Sequence, residues 1–197
     1  MCYIIIKKKI SIARRSTVKK FIHKLNFPSK RMVFIWIGVL LISCGVLIPT
    51  MGIFIGSYSY PDNAFLLTYT KLHEYISDLG ALGVERYVIT KYSFDILWPL
   101  IYVVFFNVLI NYLRQHIKMS NYLNLIAAIA FASDMLENLY FGSYLANHGS
   151  DFIGYIGIFC YYIKWAAIFT LIAILVYKFI EFMKLKKNPI SEHKEEK

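Results

Sequence analysis

The chain is short of charge. Only 17% of its 197 residues are Asp, Glu, Lys or Arg, against about a quarter in a soluble domain. It is short of cysteine as well: three, with no CxxC pair, which excludes a disulfide scaffold and leaves no zinc-type spacing. Ten glycines and five prolines are too few for a low-complexity or collagen-like chain. The five histidines (His23, His73, His116, His148, His193) are scattered. There is no HExxH, no GxSxG and no Gly-rich phosphate loop. Neither a metal nor a cofactor is expected, and no Asn-x-Ser/Thr sequon occurs.

What is present is apolar. Apolar and aromatic residues make up 58% of the chain, 31 of them Phe or Tyr, and mean hydropathy is +0.51. They fall in four blocks, about 32–55, 94–113, 122–145 and 152–177. A helix needs roughly 20 apolar residues to span a bilayer. In lipid every backbone N–H and C=O must be satisfied, so the blocks are helices, and none alternates with the period of two that a small barrel requires. The expected fold is all-α: a polytopic membrane protein, a four-transmembrane-helix bundle over residues 32–177. A basic arm (1–31) precedes it and a tail (178–197) follows, the tail read as solvated and unstructured.

Loop charge sets the expected orientation. The first 31 residues hold ten Lys and Arg and no acid, and the 114–120 connection has two bases and no acid. The long 56–93 loop has three bases (Lys71, Arg86, Lys91) against four acids, and the 146–151 connection has one acid and no Lys or Arg. The positive-inside rule then places both termini in the cytoplasm of a bacterial cell membrane, with the long loop outside.

In the arm, Val18, Phe21, Ile22 and Leu25 recur at helical spacing among lysines. This predicts either an interfacial helix on the anionic inner leaflet or a solvated topology signal. The arm is too short for a folded nucleic-acid reader, so no nucleic acid is expected. Leu41-Ile42-Ser43-Cys44 fits a lipobox, but the apolar run continues to Ile55, so an uncleaved helix is the better reading. Pro61-Asp62-Asn63 reads as a helix start, with Phe65, Tyr69, Leu72, Ile76 and Leu79 on one face and Gly80 as its stop. An amphipathic helix in the outer loop is predicted. No internal repeat is visible, which disfavours an inverted-repeat transporter.

The informative residues are ionisable ones at depth. Asp134, Glu137 and Asn138 share one face of span three. Lys164 is the basic residue of span four, and Asn107 and Asn111 lie four apart in span two. At 1.5 Å per residue, Asp134, Lys164 and Asn107 each come about 16–18 Å below the outer boundary. A charge there costs at least ~2.5–3.5 kcal/mol, so these groups are expected to face inward as one layer. Lys164 should pair with Asp134, leaving Glu137 to Asn138 and Asn107. With two acids against one base, the odd carboxylate must take a proton, bind a cation or meet a polar ligand. Asp95, near the outer interface, is expected to pair with the outer helix. Trp98 reads as an interfacial anchor. Gly38, Gly45 and Gly52, seven apart, read as a close-packing face.

The order Asp95-x-x-Trp98-Pro99-Leu100-x-Tyr102, Asp134-x-x-Glu137-Asn138, Lys164-Trp165 resembles a group of small bacterial four-span membrane proteins with no assigned activity. The resemblance covers residues 58–177. It implies that Asp134, Glu137, Asn138 and Lys164 belong together, and it implies no reaction.

Three readings follow. The layer (Asp134, Glu137, Asn138, Lys164, Asn107) binds a small polar or cationic species, coupled to protons. Alternatively, Glu137 or Asp134 is the acid/base of a membrane-embedded lipid-modifying enzyme. Or the chain is a structural or immunity-type partner subunit that docks on another membrane protein, or on a second copy of itself, by its glycine face. A pocket on the layer would favour the first two, and a lateral opening the enzyme. A dry bundle with exposed glycines would favour the third.

Overall fold

The computed structural model describes residues 25, 27–56, 61, 66–146 and 150–187. The basic arm up to residue 24, the Asp62-Asn63 helix start and the tail from Asn188 lie outside them. Five helices run in order: α1 (Lys30–Ile55), α2 (Tyr69–Lys91), α3 (Phe94–Arg114), α4 (Tyr122–Ala146) and α5 (Asp151–Lys187). No strand occurs among the described residues. Four stretches are long and apolar enough to cross a membrane: Lys30–Ile55, Tyr69–Arg114, Tyr122–Ala146 and Asp151–Lys187. One end of the bundle carries the α1–α2 and α4–α5 connections and is called the loop side. At the other, the terminal side, α1 begins, α3 turns into α4 and α5 ends.

Local chemistry sets the helix ends. Ser29 caps α1 by accepting from the Met32 N–H at 3.3 Å. Gly56 stops it at φ 86°, where a side chain would be strained. Thr68, not the Pro61 segment, caps α2, its hydroxyl accepting from the Lys71 N–H at 3.2 Å. Gly80 breaks α2 at φ 63°, ψ 176°, dividing it into a first arm (69–79) and a second (81–91). The stop expected at Gly80 is therefore a corner.

The second arm ends against α4. Tyr92, just past its end, has its hydroxyl 3.2 Å from Ser143 Oγ on α4, and Lys91 reaches Asn138 at 3.0 Å. Residues 81–91 thus prolong α3 along α4 toward the loop side. The stretch long and apolar enough to cross a membrane runs Tyr69–Arg114, so it includes these residues as well as the block from Phe94. At the other end of the chain, α5 continues past Tyr177 to Lys187. Residues 178–187, expected to be unstructured, are helical. Their Lys178–Glu181 bridge (2.8 Å) and the Lys184, Lys186 and Lys187 of the last turn suit a helix C-terminus.

α4 is the central element. It runs antiparallel to α5, with Tyr144 against Gly154, Phe141 against Gly157 and Glu137 against Lys164. It also runs antiparallel to α3, with Asn138 against Asp95, Asp134 against Tyr102 and Asn124 against Asn107. A Cβ on Gly157 would lie 2.5 Å from the Phe141 ring, so glycine is required for the helices to approach there. α1 packs its Val33, Ser43, Met51, Gly52 and Ile55 inward and leaves Phe34, Leu41, Ile42, Val46 and Ile53 exposed. Gly52 is buried, but nothing lies within 4 Å of a Cβ on Gly38 or Gly45. Those two glycines serve no packing within the described chain.

Candidate functional site: a buried layer of acids and lysines

Glu137 stands at the middle of a charged layer between the two apolar cores. Its carboxylate lies 2.6 Å from Lys164 Nζ and 3.5 Å from Lys91 Nζ. Lys164 also approaches Asp134 at 3.6 Å. Lys91 pairs with Asp95 at 2.7 Å and donates to Asn138 Oδ1 at 3.0 Å. The Asn138 amide donates in turn to the Asp95 carbonyl at 3.1 Å. The Tyr102 hydroxyl sits 3.0 Å from both Asp134 Oδ2 and the Ala130 carbonyl. All seven residues are between 0 and 7% exposed, so the layer is closed.

The lysines are held on their other sides by rings. Lys91 Nζ lies 5.4 Å from the centre of Tyr87 and 5.8 Å from that of Phe141. Lys164 Nζ lies 5.2 Å from Tyr161 and 5.6 Å from Trp165. A desolvated ammonium over such faces gains up to about 2 kcal/mol from each. That attraction offsets part of the desolvation that makes buried ion pairs costly.

Of the sequence candidates, Asp134, Glu137, Asn138 and Lys164 come together as expected. The expected Lys164–Asp134 pair is present at 3.6 Å, but Glu137 is not left out of it. Lys164 is closer to Glu137 than to Asp134, and Asn138 serves Lys91 and Asp95 rather than Glu137. Asp95 does pair with the outer-loop helix, through Lys91, but that lysine also belongs to the layer. Asn107 is elsewhere. Its amide donates to the Val103 carbonyl at 2.8 Å, and its carbonyl accepts from Asn124 at 2.5 Å. Asn124 is ten residues from Asp134 on α4, about 15 Å toward the terminal side. There it joins Arg114 (2.6 Å), which also donates to Asn111 (2.9 Å) and the Ser120 carbonyl (3.1 Å). Asn111 donates further to the Leu25 carbonyl.

Sequence reasoning missed Lys91 as a member of the layer. The signal that could have found it is its i, i+4 spacing from Asp95, a pair that neutralises itself on one helix face. The revised count is three carboxylates (Asp95, Asp134, Glu137) against two lysines. The excess of one acid that the sequence predicted therefore survives with different members.

No group of three His, Cys, Asp or Glu positioned for a metal occurs among the described residues. A groove of about 920 Å³ opens on the loop side between the arms of α2 and the end of α4. None of the seven layer residues lines it.

Comparison with protein-family models, with curated proteins and with solved structures finds no match. The resemblance noted above rests on its motif residues alone. Every polar side chain of those motifs (Asp95, Tyr102, Asp134, Glu137, Asn138, Lys164) is in the layer.

Proposed function

We propose that this is a multi-pass protein of the bacterial cytoplasmic membrane, with both termini inside. Its buried layer binds one small cation or polar species in exchange for a proton. One observation carries the reading: the layer is closed, yet holds three carboxylates and two lysines. A net charge among apolar helices is expensive, so the closed layer must hold one proton or one small cation. Exchange of that species would require the bundle to open. The basic face at α3–α4 and the lysines at the end of α5 support the orientation.

The test is proton movement in vesicles. Purified protein is reconstituted with an internal pH dye, and gradients of Na⁺, K⁺ and methylammonium are applied in turn. At least one gradient should drive proton flux in the wild type and none in Glu137→Gln, which brings the layer to two acids and two bases. Flux absent throughout, or equal in the two proteins, overturns the reading.

A second reading has its own support. By the pocket criterion, the closed layer and the open Gly38 and Gly45 favour a structural or partner subunit in which the ion pairs fix helix register; the odd carboxylate is what favours exchange. On that reading Glu137→Gln changes nothing in any assay. A lipid enzyme built on Glu137 or Asp134 gains less, because neither carboxylate lines the loop-side groove.

A further inference from the structure

The loop side carries a second polar assembly, separate from the layer. The Tyr69 hydroxyl donates to Asp151 Oδ1. The Tyr69 and Tyr144 hydroxyls are 3.1 Å apart, and the Tyr144 hydroxyl is 3.2 Å from His73 Nε2. Each tyrosine has one proton to give, and a carboxylate only accepts. The Tyr69 proton goes to Asp151, so the bond between the tyrosines is donated by Tyr144. The bond between Tyr144 and His73 is then donated by Nε2–H. The chain has one polarity, and it fixes the tautomer: in the neutral imidazole, Nδ1 of His73 is the acceptor. Tyr69 is held in place by stacking on Tyr155 at 4.5 Å, with the His73 ring edge-on at 4.5 Å.

This assembly forms part of the 920 Å³ groove. His73, Glu85 and Asp151 supply charge and acceptors there, and Ile76, Val84 and Leu145 supply apolar wall. No Lys or Arg among the described residues lines it. Its volume is at the upper end of ligand pockets, about 300–1,000 Å³. It lies on the loop side, by the end of α4 and the start of α5; on the proposed topology that is near the level at which acyl chains give way to headgroups. Its lining mixes acceptors and two acids with apolar side chains and carries no cation among the described residues. The complementary ligand is an amphiphile whose head has several donors, no acceptor and positive charge. An ammonium meets this description, whereas a phosphate or carboxylate would face Glu85 and Asp151.

We propose that the groove binds a single-chain amphiphilic amine, its ammonium drawn to the acids Glu85 and Asp151 and its chain against the apolar lining of Ile76, Val84 and Leu145. The site does not depend on the buried layer, and either assignment can fail alone.

The test uses the full chain in phosphatidylcholine nanodiscs, with empty nanodiscs as background. The probes are hexadecylamine, hexadecanol and palmitate. Hexadecylamine should bind saturably, near one per chain, and at least about tenfold more tightly than the other two. Glu85→Gln should weaken it by about tenfold, the loss expected for one hydrogen bond to a charged group. Ala81→Trp, which fills the groove, should abolish binding. Glu85 and Ala81 are both exposed, so thermal unfolding of both variants should match the wild type. Equal binding of hexadecanol, or amine binding unchanged in both variants, overturns the assignment.

Discussion

The bundle contains a charged layer at mid-span and an amide layer near its terminal side, and they satisfy polar groups differently. At mid-span, Lys91 and Lys164 are matched by carboxylates and aromatic faces and excluded from solvent. At the terminal side, Arg114 is matched by Asn111, Asn124 and the Ser120 carbonyl, all neutral, and is only partly buried. The difference in burial accounts for it. Where water or headgroups reach a cation, neutral acceptors suffice; where they do not, an opposite charge must travel with it. The charged layer should therefore be fragile to single changes and the amide layer tolerant.

The largest effect should come from Lys164→Met. It leaves three carboxylates against Lys91 alone, and breaking a buried pair costs roughly 3–5 kcal/mol. Thermal unfolding in detergent and the yield of membrane-inserted protein measure it. A loss under about 1 kcal/mol would mean that the layer is hydrated and no different from the amide layer.

Next is the identity of the partner. In double-mutant cycles, Lys164→Met should couple to Glu137→Gln toward the top of the usual range of about 0.5–3 kcal/mol, and to Asp134→Asn more weakly. The distances, 2.6 Å and 3.6 Å, set that order. Equal coupling energies would spread the pair over both acids. Purely additive losses would remove it.

Asn124→Ala should cost about 1 kcal/mol, the low end for an abandoned hydrogen-bonding partner, because water can replace the lost amide. The same unfolding assay measures it, and a loss as large as that of Lys164→Met would erase the contrast between the layers. Smallest of all, Gly38→Ala should shift stability by no more than about 0.5 kcal/mol. A Cβ there meets nothing in the chain. A large loss in the cell membrane but none for the isolated protein would expose a partner on that face.

The four spans were legible because long apolar runs have only one stable form in lipid. The acids of α4 and Lys164 were legible because charges in such runs must converge. The two errors in the layer share a cause. An apolar block that begins at Phe94 leaves Lys91 among the charges of the 56–93 loop. Measured from Phe94, Asn107 lies at mid-depth. Measured from residue 81, where the second arm of α2 begins, it lies about 39 Å along the path, near the opposite boundary. A charge is a poor boundary marker when its partner sits one turn away. That Lys164 reaches Glu137 as well as Asp134 is not legible for a finer reason. One helical turn is about 5.4 Å, less than the reach of a lysine side chain and within the uncertainty of a span edge. The Gly80 corner was visible because glycine tolerates the left-handed backbone, but its direction depends on packing against α4, which no local pattern encodes.

The spacing of Lys91 and Asp95 bears on how the chain is threaded into its bilayer. They are four apart and 2.7 Å from each other, so this stretch carries its own counter-ion and can leave the insertion machinery as a neutral rod. Lys164 has no acid within a turn on α5, and Asp134 and Glu137 have no base within a turn on α4. Each of those helices alone is a charged guest in hydrocarbon. The connection between α4 and α5 is short in sequence, so the acids and their lysine are expected to enter the bilayer as a couple.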